Sequence, residues 1–206
     1  MLAEEIKQLA INTIARESAS VAQLENQVDD NFVAVATALY ECQGKVLVTG
    51  SGTSHAVGAR LAHLLSCSGT PSLFIHPGDS QHGLGGAVSA NDVLIALSKG
   101  GRTVEVNYLA ALAQKRGAAV IAFTEKPESE LGQMSDYVLC VQAADDVDPY
   151  GMIATGSSLT NSAMGDALCV VLLRMRGYTQ EKFGETHPGG AVGHKLENLA
   201  KEEVHK

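Results

Sequence analysis

Two glycine-rich stretches place hydroxyl side chains where a helical pattern begins. The first, GSGTS at 50–54, follows an apolar run and sets Thr53 and Ser54 at the brink of a helix. The second, SKGGRT at 98–103, does the same with Ser98 and Thr103 and adds Lys99 and Arg102 beside them. A strand, a tight loop and a helix start together aim backbone N–H groups and the positive end of a helix dipole at an anion. Added hydroxyls suit a phosphate monoester or a sugar hydroxyl. A dinucleotide fingerprint is excluded: the glycines fall at 50, 52 and 58, and the end of the next apolar run, FIHPG, carries no acid. A triphosphate loop is excluded because no Lys follows these glycines in the required place. Each loop alone also reads as a Ser/Thr cap on a βα turn. Two strands ending alike favour a shared phosphate cradle.

These loops need a scaffold, and the apolar patterning supplies one. KVLVTG, PSLFIHP, DVLIALS, AAVIAFT and DYVLCVQ are continuous apolar runs bounded by Gly, Pro, Ser or Asp. Continuous runs suit strands covered on both faces, as in a parallel sheet. Helical spacing fills the gaps at 54–68, 103–116 and about 127–134, and a long helix runs from about Leu159 to Met175. The expected fold is α/β, a doubly wound five-stranded parallel sheet flanked by helices. Ahead of it, Ile6, Leu9, Ile14, Val21, Leu24 and Val28 mark an amphipathic helix over 3–28, and a second helix spans Asn31 to Cys42 with Gly44 placed to end it. Residues 1–43 are expected to form a helical extension packing on the domain, on an oligomer partner or on both. Residues 44–206 are expected to form the ligand-binding domain.

The bulk numbers narrow the partners. A chain of 206 residues with 45% hydrophobic and 18% charged residues is long enough for one well-packed core. A net charge of −8 and the lack of a Lys/Arg run argue against nucleic acid. No apolar run approaches the roughly 20 residues of a membrane helix. No leader is evident in MLAEEIKQLA, and Cys42, Cys67, Cys140 and Cys169 form no CxxC pair, so a cytoplasmic protein with cysteines acting as small buried hydrophobes is expected.

GSGTS, HPGDSQHG, SKGGRT and THPGGAVGHKL occur in that order, with GDAL in the last long helix. Together they resemble the sugar isomerase (SIS) domain family over about residues 30 to 197, and within it the arabinose-5-phosphate isomerase branch, here without the paired CBS domains that often follow. The resemblance implies a five-stranded parallel sheet and a phosphorylated sugar as ligand, with neither cofactor nor metal. It implies phosphate and sugar contacts from Gly52, Thr53, Ser54, Ser98, Gly101, Arg102, Thr103, Thr155, Ser157 and Ser158. Glu105 matches the branch's active-site acid, Asp146 its second acid, and His82 and His187 its histidines. Members commonly place the C-terminal histidine in a neighbouring subunit's pocket, which implies a homo-oligomer; a tetramer is expected. Four positions depart from the pattern: Gly100 replaces a serine, Arg102 stands where Glu is common, Thr53 replaces the branch's Lys, and Asp146 is one carbon shorter than Glu.

Aldose–ketose isomerisation moves a proton between adjacent carbons through an enediol. It needs a base at the carbon acid, an acid at the carbonyl oxygen and a grip on the distant phosphate. Glu105 is the expected base and His187 the expected acid or ring-opening catalyst, with His82 and Asp146 supporting. The competing expectation is a phosphosugar sensor without turnover, favoured by Thr53 and by the altered SKGGRT loop. A third keeps the fold and changes the sugar, as in 6-phospho-3-hexuloisomerase. His55 is open between capping and ligand contact, and His76 with His82 is too sparse a pair for a metal site.

Overall fold

The five apolar runs form five parallel strands in the computed structural model, which describes residues 1–143, 148, 150–190 and 193. They are β1 (Val46–Gly50), β2 (Ser72–Phe74), β3 (Val93–Leu97), β4 (Ala119–Thr124) and β5 (Tyr137–Cys140), in the order β2-β1-β3-β4-β5. Registers run from Val46↔Val93 to Gly50↔Leu97 between β1 and β3 and from Val93↔Ala119 to Leu97↔Phe123 between β3 and β4. Every residue of β1 and β3 is buried, which is why neither strand alternates in polarity.

The period of two divides these side chains between two cores. Val48, Ile95, Leu97, Ile121 and Phe123 meet α2 (Asp30–Glu41), α3 (Thr53–Cys67) and α7 (Thr155–Met175) on one face. Leu47, Leu94, Ala96, Val120 and Ala122 meet α5 (Val104–Lys115) and α6 (Glu130–Met134) on the other. Short α4 (Pro77–Ser80), with Pro at its first turn where no N–H is needed, follows β2. α8 (Gln180–Thr186) follows α7.

The extension divides in two. α2 gives Phe32, Val35, Ala36 and Leu39 to the main core. α1 (Ala3–Ala22) packs on α7 and leaves Ile6, Leu9, Ile11 and Ile14 exposed. The expected single helix to residue 28 instead tightens into a 3-10 turn at Gln23–Gln27. The last long helix starts at Thr155, four residues before the expected Leu159, because its hydroxyl-rich opening is accepted in a first turn. All four cysteines are free, but only Cys169 is buried, so the expectation holds in full for one of the four. Burial pushes the Cys169 thiol up to about 12, leaving it unreactive at neutral pH. Among the described residues no helix is long and apolar enough to cross a membrane.

Asp92 ties the starts of β1 and β3. Its carboxylate accepts the Lys45 amide at 2.8 Å and the Ser89 amide at 2.7 Å. Gly44, expected as a helix stop, clears this carboxylate instead: a Cβ there would overlap Asp92 Oδ1, and α2 has already ended at Glu41. Burial alone would raise the Asp92 pKa, but the two amides outweigh it and hold the group below the usual carboxylate range. A depressed folded-state pKa means the stabilisation is present above the unfolded value near ~4 and is lost as pH falls through the folded value. Asp92→Ala is therefore expected to lower the unfolding free energy by about 3 kcal/mol in urea titrations at pH 7, since two amides lose a charged acceptor. Asp92→Asn is expected to flatten the fall in stability below about pH 4.

Candidate active site at the strand carboxyl edge

Strand order reverses at β1, with β2 on one side and β3 on the other, so a crevice opens beyond the carboxyl ends of β1 and β3. The first loop enters it by close approach. Gly50 lies so near the first turn of α3 that a Cβ would stand 2.7 Å from the Ser54 carbonyl oxygen. On the α7 face of the crevice is a small polar cavity of about 20 Å³ lined by Thr53, Ser54, Val57, Leu97, Lys99, Ala154, Ser157, Ser158 and Asn161. Four of the expected ligand contacts thus meet in one place: Thr53 and Ser54 from α3, and Ser157 and Ser158 from the first turn of α7.

Several helices begin at this edge, and they are capped differently. α6 is capped by Ser129, whose hydroxyl accepts the Gly132 amide. α3, α5 and α7 have no side-chain cap. Their positive dipole ends remain available to an anion, although the Ser54 and His55 amides of α3 already donate to the Ser51 and Gly52 carbonyls and the Thr155 amide of α7 to the Ile153 carbonyl. Thr155, expected in the phosphate-side segment, opens α7 with its Oγ1 buried and unpartnered.

The second loop is built around Gly101. Its φ of 63° is in the left-handed region, and a Cβ there would overlap the Ser129 hydroxyl. The Gly101 carbonyl accepts the Leu131 amide at 3.1 Å and the Asn107 side chain at 3.3 Å. Ser98 and Thr103 bond one another through their hydroxyls at 3.0 Å, closing the loop onto the start of α5. Arg102 is exposed beyond the glycine turn and does not line the cavity. Lys99 does line it, with its ammonium 3.8 Å from Glu125.

Glu105 stands in the first turn of α5, where a carboxylate is favoured by the dipole. Its Oε1 accepts the Ser51 hydroxyl at 2.8 Å, which places the acid directly over the first glycine loop. Its own backbone amide and then the Ser51 hydroxyl hold it below the usual carboxylate range, and the nearby His76 acts in the same direction. Glu105 is thus ionised at neutral pH and able to accept a proton. The His76 and His55 rings meet edge-on at 5.3 Å, and His55 lies 4.5 Å from Phe74. Ser51, His55 and His76 therefore gather around the expected base. Among the described residues no group of three or more His, Cys, Asp or Glu side chains is placed to hold a metal.

No contact among the described residues joins the other expected acid–base residues to this cluster. His82 is exposed in the turn after α4, its amide bonded to the Asp79 carbonyl. His187 stacks on Phe183 at 3.9 Å, and its Nδ1 reaches the Phe183 carbonyl at 3.0 Å, leaving Nε2 as the basic nitrogen. Phe183 lines an apolar groove with Leu64, Cys67 and Leu173, from the far ends of α3 and α7. His187 is therefore a helix length away from the Thr53–Ser157 cavity of its own chain. Asp146 lies outside the described residues. Its neighbour Asp148 folds the approach to α7 by accepting the amides of Tyr150 and Ile153, each at 2.9 Å.

Sequence reasoning passed over Ser51 and Asn161, named Lys99 only as a flanking cation and weighed His76 only as a metal ligand. A signal existed for two of them. Ser51 sits between two loop glycines, and His76 directly follows a strand-like run, at the edge where ligands bind.

The chain matches the SIS domain model over residues 39–171. It is 38% identical over 192 residues to the arabinose 5-phosphate isomerase KdsD of Escherichia coli K12, a match covering 93% of this chain and 58% of that protein. To KdsD of Pseudomonas aeruginosa it is 37% identical over 187 residues, 91% of this chain and 57% of that one. The chain thus spans less than two thirds of the length of these curated relatives. Among solved structures, an E. coli CFT073 protein in complex with arabinose 5-phosphate superposes with a TM-score of 0.88 and 29% identity, covering 91% of this chain and all of that one. A candidate sugar-phosphate isomerase from Listeria monocytogenes superposes at 0.89 with 32% identity, covering 92% and 100%.

The Ser51–Glu105 bond has a measurable consequence. Ser51→Ala removes a donor to the ionised carboxylate, so the Glu105 pKa is expected to rise toward the ordinary glutamate value. A carboxyl ¹³C titration of the two proteins checks this, and an unchanged Glu105 titration would contradict the bond.

Proposed function

The chain belongs to the SIS domain family, and from that premise we propose that it is a phosphosugar aldose–ketose isomerase of the arabinose-5-phosphate type. The observation that carries this reading is Glu105, held ionised by Ser51 beside a hydroxyl-lined crevice into which uncapped helices open. The names of the KdsD relatives and the arabinose 5-phosphate complex of the E. coli neighbour support the same sugar class.

In this reading the phosphate is gripped by Gly52, Thr53, Ser54, Ser98, Gly101, Thr103, Thr155, Ser157 and Ser158, from side chains and loop amides, with Arg102 at the exposed rim. The far end of the open-chain sugar then reaches Glu105. The carboxylate takes the proton from the carbon next to the carbonyl, and a proton reaches the carbonyl oxygen, giving an enediol. Return of the carbon-bound proton to the neighbouring carbon, with loss of the other hydroxyl proton, yields the isomer. His82 and Asp146 support this exchange. His187 of the partner subunit supplies the acid, which agrees with its distance from its own chain's crevice. We infer a cytoplasmic homotetramer in which the exposed apolar side chains of α1 and the 1–43 segment contribute to subunit contacts.

Thr53 in place of the branch's Lys favours a second reading, a phosphosugar sensor without turnover. Glu105→Gln tests the first directly. Turnover of arabinose 5-phosphate is expected to fall by about 10²–10⁴-fold while sugar-phosphate binding by calorimetry persists. Unchanged turnover would remove Glu105 as the base, and binding without turnover by the unmutated protein would establish the sensor. The intersubunit role of His187 has its own test. Glu105→Gln and His187→Gln proteins, each inactive alone, are expected to regain activity when unfolded and refolded together; no recovery would place both residues in one subunit's site.

A further inference from the structure

Resting on the phosphosugar reading above, we propose that Lys99 is the cation that recognises the substrate phosphate, and that Glu125 pairs with it until a phosphate competes it away. Among the described residues lining the polar cavity beyond β1 and β3, Lys99 alone carries a charge. The alternation of β3 explains its place. Val93, Ile95 and Leu97 face the α7 side, and residue 99 continues that face one step past the strand. Arg102, the other cation of the loop, comes after the left-handed turn at Gly101 and is exposed off the cavity.

The backbone at this position is fixed. The Lys99 carbonyl accepts the Glu125 amide at 3.0 Å and the Thr124 hydroxyl at 3.0 Å, so the base of the side chain is pinned to the end of β4. The ammonium is held more loosely. It is half exposed and 3.8 Å from a Glu125 carboxylate whose other partner is the Ala143 amide at 3.4 Å. At 3.8 Å, with its ammonium end half in solvent and Glu125 largely buried, this pair is longer than a direct charge-assisted hydrogen bond, so a phosphate dianion with two charges competes for the ammonium successfully. The need for a cation is local. The chain carries −8 overall, and Glu105 and Glu125 both stand at this edge, where they would repel an approaching dianion.

The test compares Lys99→Met, Lys99→Arg and Glu125→Gln with the unmutated protein, using sugar-phosphate turnover and inorganic phosphate as a competitive inhibitor. Lys99→Met is expected to raise both KM and the inhibition constant of inorganic phosphate by about 10-fold or more, with kcat changed far less. Lys99→Arg should recover most of the loss. Glu125→Gln should lower the inhibition constant, because the competing carboxylate is gone. Lys99→Met with unmutated KM and inhibition constant overturns the assignment, as does a collapse of kcat with phosphate inhibition intact, which would put Lys99 at the reacting carbons. An unmutated protein that neither turns over sugar phosphates nor responds to phosphate overturns the functional reading itself, a result distinguishable from either.

Discussion

The reversal of strand order at β1 is the constraint on which the site depends. From β1 the chain crosses through α3 to β2 on one side, and it then passes back over β1 to place β3 on the other. Right-handed crossovers therefore put α3 on one face of the sheet and α5 on the opposite face. Their N-termini diverge above adjacent strands. Asp92 ties the opposite, amino ends of β1 and β3 to one another. Position at the carboxyl edge thus follows from topology, before any side chain is considered.

What fills the crevice is divided between the two faces. Toward α7 lie the hydroxyls of Thr53, Ser54, Ser157 and Ser158 with Lys99 and Asn161, a setting that suits an oxyanion. Toward α5 lie Ser51 and Glu105, with His76 close by, a setting that suits proton transfer. A ligand bridging the β1 loop would present a phosphate to one group and a carbon acid to the other. Backbone approach makes this possible: Gly50 lets the loop touch the first turn of α3, and Gly101 lets the second loop pack onto Ser129. With one cation among the described residues of the cavity, hydroxyls and helix ends would supply most of its attraction for an anion.

The sheet was legible because its signal is physical and redundant. Five continuous apolar runs between turn residues leave little choice but buried parallel strands, and all five are present. The hydroxyl loops were legible because strand and helix patterns meet at them. Less visible was what each hydroxyl touches. Ser98 and Thr103 satisfy one another, while Ser157 and Ser158 line one cavity with Thr53 from far along the sequence, a placement set by the packing of α3 on α7, with the Ser158 hydroxyl donating to the Ala154 carbonyl. Lys99 and Arg102 look equivalent in sequence; only strand alternation and the turn at Gly101 separate them. The distance of His187 from its own crevice depends on the direction of α8, which no local pattern encodes.

The central claim is that Glu105 removes a carbon-bound proton from a phosphorylated sugar held in this crevice. Incubation of the protein with arabinose 5-phosphate or ribulose 5-phosphate in D₂O, followed by NMR, tests it most directly. The expected result is protein-dependent deuterium incorporation at the carbon beside the carbonyl, with each sugar appearing in the other's sample. Sugar-phosphate binding without deuterium incorporation and without a new isomer would contradict it.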